Sequence, residues 1–255
     1  MGSSIGLTWQ SATTPKAGHQ PGENEDALAA DEVHGRFALA DGASEGWQSG
    51  PWAIHLVAEF VASPPEPTTF AEWVRLVRQG FTNSATKPSV VSWYAETKQA
   101  QGAFSTLLGL SFRTLQKESG LGWKGFAIGD SCVFQFRRSE MIYAFPVDEP
   151  QGFTSTPDLI GSAGSSIPEP QWIAGRAEPG DEFLLATDAV SEWLVRARHK
   201  GRSAGELLRE VVGVVPSPRF AGWVDLQRTQ RLIRNDDSTV VYIRVGSPTA
   251  SESPR

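Results

Sequence analysis

The sequence predicts an α+β layered sandwich. Three observations predict it: short strand-like runs fill the middle of the chain with no room for helices between them, helical periodicity lies before and after that middle, and a hairpin signal precedes the first helices while a strand signal follows the last. Apolar residues in two short runs over 27–40, around a polar turn at 31–35, predict a hairpin ending at Asp41-Gly42. The period then changes, with Ile54, Val57, Ala58 and Val61 at helical spacing over 51–62 before a Pro-rich break at 63–67. A second helix starts near Thr69 with Phe70, Trp73, Val74, Val77 and Phe81 on one face, and a third is expected over 90–101.

Runs at 103–112, 122–128, 132–137 and 140–145, joined by Gly-rich or charged turns, imply an antiparallel sheet. The segment 146–180, rich in Pro, Gly and Ser with few apolar anchors, reads as a long surface excursion. A buried strand is expected at 183–187, helices at 190–198, 203–212 and 218–233, and a last strand at 238–245. With 255 residues and 40% apolar content, one domain over 1–246 accounts for the chain, and 247–255 reads as a disordered tail.

A net charge of -6, with scattered Lys and Arg, gives no footprint for nucleic acid. The single cysteine, Cys132, excludes an internal disulfide and a cysteine-rich zinc site, and fits a reducing compartment. No stretch approaches the ~20 apolar residues of a membrane span, and no secretory signal is evident. The expectation is a cytoplasmic monomer.

Acidic residues fall where strands stop: Glu25 and Asp26, Asp41, Asp130, Asp188, and Asp236 with Asp237. Each alone has an ordinary reading as a turn or cap residue. As a set, carboxylates at the loop ends of a rigid sheet can converge on a hard divalent cation. Their local contexts occur in a telling order: Asn24-Glu25-Asp26-Ala27, Ala40-Asp41-Gly42, Ile128-Gly129-Asp130-Ser131, Ala186-Thr187-Asp188 and Asp236-Asp237-Ser238-Thr239-Val240. Together, over 23–245, they resemble the metal-dependent type 2C (PPM) Ser/Thr protein phosphatases.

That resemblance implies a four-layer α-β-β-α sandwich with a Mn²⁺ or Mg²⁺ cluster at one edge of two antiparallel sheets. Asp41 matches the aspartate that bridges two ions, Gly42 the residue lending a carbonyl, and Asp188 and Asp236 the other ligands of the first ion. Asp41, Asp188 and Asp236 are thus the implied catalytic centre. Glu25 and Asp26 match the acidic pair at the second ion, and Asp130 the aspartate of a weaker third. It also implies hydrolysis of phosphoserine and phosphothreonine in proteins, and admits a partner Ser/Thr kinase.

Three positions depart from the family pattern. Pro21 stands where many members carry a phosphate-gripping arginine, which leaves His19, Lys16 or Arg36 as candidate replacements, His19 first. Ala43 replaces a histidine of animal enzymes, and Ala189 a usual glycine. A weakly catalytic phosphoprotein-binding protein and a small-molecule phosphomonoesterase are the alternative readings. Gly42-Ala43-Ser44-Glu45-Gly46 also fits a nucleophile elbow, but hairpins in the middle of the chain argue against a serine hydrolase. Most of the nine tryptophans, Trp73 and Trp193 among them, are read as core rather than as a sugar-binding surface.

Overall fold

Two five-stranded antiparallel sheets face one another, with helices on both outer faces, in a computed structural model that describes residues 6–43, 48–84, 102–115, 121–215 and 218–246. The first sheet has the order β1 (Leu7–Thr14), β12 (Ser238–Val245), β11 (Glu182–Ala186), β7 (Cys132–Arg137) and β8 (Glu140–Phe145). The second runs β10 (Gln171–Ala177), β6 (Leu121–Ile128), β5 (Leu107–Thr114), β3 (Arg36–Asp41) and β2 (Asp26–Asp31). A two-stranded ribbon, β4 (Phe104–Ser105) with β9 (Ile160–Gly161), lies beside them.

The strand period of two explains the layering. Along β12, Val241 and Ile243 enter the core between the sheets with Phe37, Leu39, Leu110 and Phe183. Val240 and Tyr242 point the other way, to α3 (Asp188–His199), α4 (Ala204–Val212) and α5 (Arg219–Thr229). Along β3, Ala38 and Ala40 turn outward to α1 (Ser49–Ala62) and α2 (Phe70–Ser84). Central strands buried on both faces therefore read as continuous apolar runs. The outer helices come close because small residues sit beneath them: a Cβ on Gly109 would stand 2.3 Å from the Phe60 ring.

The four-layer α+β expectation holds, and the helices and strands expected over described residues are present near their expected bounds. Some details differ. In α1 the buried face is Trp52, Ala53, Leu56, Val57 and Phe60, whereas Ile54 is 61% exposed; the helix is turned by about one position from the expected stripe. The excursion at 146–180 contains β9 and the edge strand β10, which pairs with β6, and Ile160 within it is fully buried. The N-terminal strand β1 was not expected at all. The 90–101 helix and the 247–255 tail lie outside the described residues. The seven described tryptophans are buried or half-buried. No helix among the described residues is long and apolar enough to cross a membrane.

Candidate metal centre

Asp26 opens β2 and Asp41 closes β3, and the two are direct partners in the antiparallel register. Asp130 lies in the turn between β6 and β7, Asp188 is the first residue of α3, and Asp236 lies near the end of the loop before β12. The hairpin thus brings the first two carboxylates together, and strand ends of both sheets deliver the others to the same edge. The charges of Asp26, Asp236 and Asp130 all act on Asp41, and those of Asp237 and Asp236 act on Asp26.

Backbone hydrogen bonds fix Asp41 firmly. Its N–H donates to Thr106 Oγ1 at 3.0 Å, and its carbonyl accepts from Thr106 N at 2.9 Å and Ser105 Oγ at 2.8 Å. Thr106 Oγ1 lies 3.1 Å from Ser131 Oγ, in the turn that carries Asp130. Gly42 donates its N–H to the Glu25 carbonyl at 3.2 Å. A Cβ on Gly42 would stand 2.9 Å from backbone atoms of both Glu25 and Ser49, so no side chain fits between the start of β2 and the start of α1.

Asp26 is oriented across the sheets, since Thr187 Oγ1 donates to its Oδ2 at 3.0 Å while accepting from Thr239 N at 2.9 Å. Asp237 ties the loops together: its two oxygens accept from Lys16 N and Glu25 N, each at 2.8 Å. Lys16 Nζ is 3.9 Å from Glu25 Oε2. His19 is exposed in the same loop. Arg36 is not a candidate for phosphate contact. It lies at the far end of β3, five residues or about 16 Å from Asp41, and donates to the Val61 and Ala62 carbonyls that end α1.

Burial and crowding shape the protonation of these carboxyls. Burial, reinforced by the Asp237 charge, pushes Asp26 up to about 7. Asp41 is held well above the usual carboxylate range by burial and then by Asp26, Asp236 and Asp130. Burial raises Asp130 as well, against the nearby Arg234 charge. Burial also pushes the Cys132 thiol up to about 12, which leaves no thiolate nucleophile at neutral pH.

The donor set suits hard divalent cations. Asp26 Oδ1 and Asp188 Oδ1 are buried without hydrogen-bond partners, and both Asp130 oxygens are buried without a partner elsewhere in the chain. Orphaned buried anions are costly unless a cation meets them. Among the described residues no three Asp, Glu, His or Cys side chains close to ligating distances as a group. Like charges resist that approach, and Arg234 has engaged Asp188 Oδ2.

A stability prediction arises here. Asp26 keeps its proton to about 7 in the folded chain but only to the ordinary aspartate value when unfolded. Between those values the folded state binds more protons, so stability of the metal-free protein falls as pH rises, by up to about 1.4 kcal/mol per pH unit for one such group. Thermal melts in EDTA from pH 5 to 7 are expected to show a declining midpoint, and saturating Mn²⁺ is expected to flatten that decline.

Solved structures now supply a comparison. The catalytic domain of the serine/threonine phosphatase PstP, in complex with two manganese ions, matches at TM-score 0.56 and 19% identity, over 94% of this chain and 99% of that one. The fold is that of the PPM-type phosphatases. PppA, a key regulatory component of T6SS in Pseudomonas aeruginosa, matches at TM-score 0.56 and 20% identity over 93% and 97%. The PPM Ser-Thr phosphatase MsPP from Mycobacterium smegmatis, in complex with cacodylate, matches at 0.54 and 20% over 94% and 98%. No family model matches the sequence, and no curated protein matches it.

Among the described residues, the PPM fold brings the Asp26, Asp41, Asp130 and Asp236 charges into mutual influence and links Asp188 to them through Arg234, which also acts on Asp41 and Asp130. Reading the sequence missed Thr106, Thr187 and Arg234. A threonine before Asp188 and another in the Asp236-Asp237-Ser238-Thr239 run were visible, but hydroxyl partners across two sheets have no linear signature. Ser44 of the Gly42–Gly46 elbow lies outside the described residues.

Proposed function

We propose that this chain is a metal-dependent protein phosphatase acting on phosphoserine and phosphothreonine in proteins. The observation that carries the reading is a set of buried carboxylates with unpaired oxygens, Asp26, Asp130 and Asp188, at one edge of a PPM fold with Asp41 and Asp236 beside them. Asp41, the Gly42 carbonyl, Asp188 and Asp236 would hold one ion, Asp41 with Glu25 or Asp26 a second, and Asp130 a weaker third. Bound Mn²⁺ or Mg²⁺ would supply a water that ionises near neutral pH and would offset charge on the phosphoryl group.

The chain's own residues do the rest. Thr187 commits Asp26 Oδ2 and leaves the buried Oδ1 without a protein partner. Thr106 and Ser105 hold the Asp41 main chain, so its carboxyl is delivered in one place. The raised carboxyls hold protons that loading must release. Lys16, beside Glu25, and exposed His19 are the cationic or proton-bearing groups in the loop that contains Pro21, and they are the proposed contacts for the substrate phosphate. The partner is a phosphorylated protein, with a Ser/Thr kinase as its source. The lone, buried, free thiol suits a reducing compartment such as the cytoplasm.

One observation favours a second reading as a phosphoprotein-binding protein of low turnover: proline at position 21. Purified chain incubated with a phosphothreonine peptide separates the two. Phosphate release that needs Mn²⁺, stops in EDTA and is faster than on a small aryl phosphate supports the phosphatase. Metal and peptide binding without release leaves the binding reading in its place.

A further inference from the structure

We propose that Arg234 is a built-in counter-cation of the carboxylate cluster, holding Asp188 in the metal-free protein and competing with divalent metal for it. The proposal rests on the reading of this edge as a metal centre. The Arg234 guanidinium pairs through Nη2 with Asp188 Oδ2, and its Nε lies 3.9 Å from Glu192 Oε2, one turn further along α3. The Asp188 side chain is only 10% exposed and that of Arg234 is 36% exposed, so the cation reaches inward from the rim. Its charge also acts on Asp41 and Asp130 from the same position.

The loop holds Arg234 in this place. Arg228 Nη2 donates to the Asp236 carbonyl at 2.6 Å, and Asp236 N donates back to the Arg234 carbonyl at 3.0 Å. A candidate ligand, Asp236, and the competitor for another ligand, Asp188, are therefore two residues apart on one folded loop. Arg234 takes Asp188 Oδ2 and leaves Oδ1 without a partner, so a divalent ion that reaches Oδ1 meets a carboxylate whose charge is already shared with a guanidinium that repels it. Metal entry is therefore opposed while Arg234 stays on Oδ2 and favoured when it swings outward, and the partly exposed side chain has solvent to move into. The apparent metal affinity is then the intrinsic affinity reduced by the fraction of molecules in which Arg234 occupies Asp188.

Titration calorimetry of the full chain with Mn²⁺ alone tests this, comparing wild type, Arg234→Gln and Arg234→Lys. Arg234→Gln is expected to bind Mn²⁺ about ten-fold more tightly, and Arg234→Lys, which keeps the charge, to stay nearer wild type. Thermal melts give a second readout: Arg234→Gln should melt lower than wild type in EDTA and level with it in saturating Mn²⁺. Equal Mn²⁺ affinity in wild type and Arg234→Gln overturns the proposal, as does a melting deficit that persists unchanged in Mn²⁺. Mn²⁺ binding by Arg234→Gln alone supports it most strongly. Failure of every variant to bind Mn²⁺ overturns the metal-centre reading and the proposal with it.

Discussion

Asp41→Asn is expected to lower Mn²⁺-dependent phosphate release from a phosphothreonine peptide by about a thousand-fold, with Asp188→Asn close behind. A metal-supplied nucleophile and charge neutralisation are worth several kcal/mol at the transition state, and each 1.36 kcal/mol is ten-fold in rate. Asparagine keeps the size of the side chain, and the bonds that seat residue 41 are made by its backbone N–H and carbonyl, which the substitution leaves intact. The fold should therefore survive. The sign of the stability change separates a functional role from a structural one. The Asp41 carboxyl is raised well above its ordinary range by burial and by three neighbouring carboxylates. Such a group costs folded-state stability above its unfolded value, and a neutral amide removes that cost. Metal-free Asp41→Asn should melt at or above the wild-type temperature while losing its activity. A variant that lost both together would mark Asp41 as a packing residue.

Trp52→Ala is expected to carry the largest stability loss, about 3–5 kcal/mol, the range for emptying a buried aromatic site. Trp52 is fully buried on α1, donates its indole N–H to the Ile160 carbonyl at 2.8 Å and meets the Phe81 ring edge-on at 5.0 Å. The substitution leaves a cavity and strands that carbonyl without its donor. For a chain of this length the thermal midpoint should fall by roughly 10 °C. Ile54→Ala, on the exposed face of the same helix, should stay within about 0.5 kcal/mol. Activity should decline too, because Ile160 belongs to β9, which pairs with β4, and β4 bridges to Gly42 through Ser105.

Burial on two faces decided which strands were legible. The last strand was read at its observed bounds because Ser238–Val245 is almost entirely buried. β1 escaped notice because Leu7–Thr14 is an edge strand, paired among the described residues with β12 alone, and it exposes the polar Thr8, Gln10 and Thr13. β10 escaped because it sits at the other sheet's edge and carries Gly175, where a Cβ would meet the Trp123 ring at 2.6 Å. A glycine under an aromatic ring looks, in sequence, like a loop. The α1 stripe was misjudged because Ile54 is apolar by type, whereas Ala53, small enough to let the helix approach the sheet, is the buried neighbour.

At the candidate site, the acidic positions were legible because each falls at a strand or helix end, where hairpin register and turn geometry leave little freedom. Asp26 and Asp41 had to meet once the 27–40 hairpin closed. Arg234 was not legible, because its pairing with Asp188 joins a loop to a helix start 46 residues earlier and exists only after both sheets assemble. Asp237 stood in view beside Asp236, yet its role as acceptor for Lys16 and Glu25 amides depends on where the 15–25 loop returns.

The most direct test of the central claim is anomalous diffraction from crystals of the full chain grown with Mn²⁺, collected at the manganese edge. The account predicts two strong anomalous peaks flanking the Asp41 carboxylate, one also reaching Asp188 and Asp236 and the other Glu25 or Asp26, with Arg234 withdrawn from Asp188. An absence of peaks at this edge of the sheets at saturating Mn²⁺, with Arg234 still on Asp188, would contradict it.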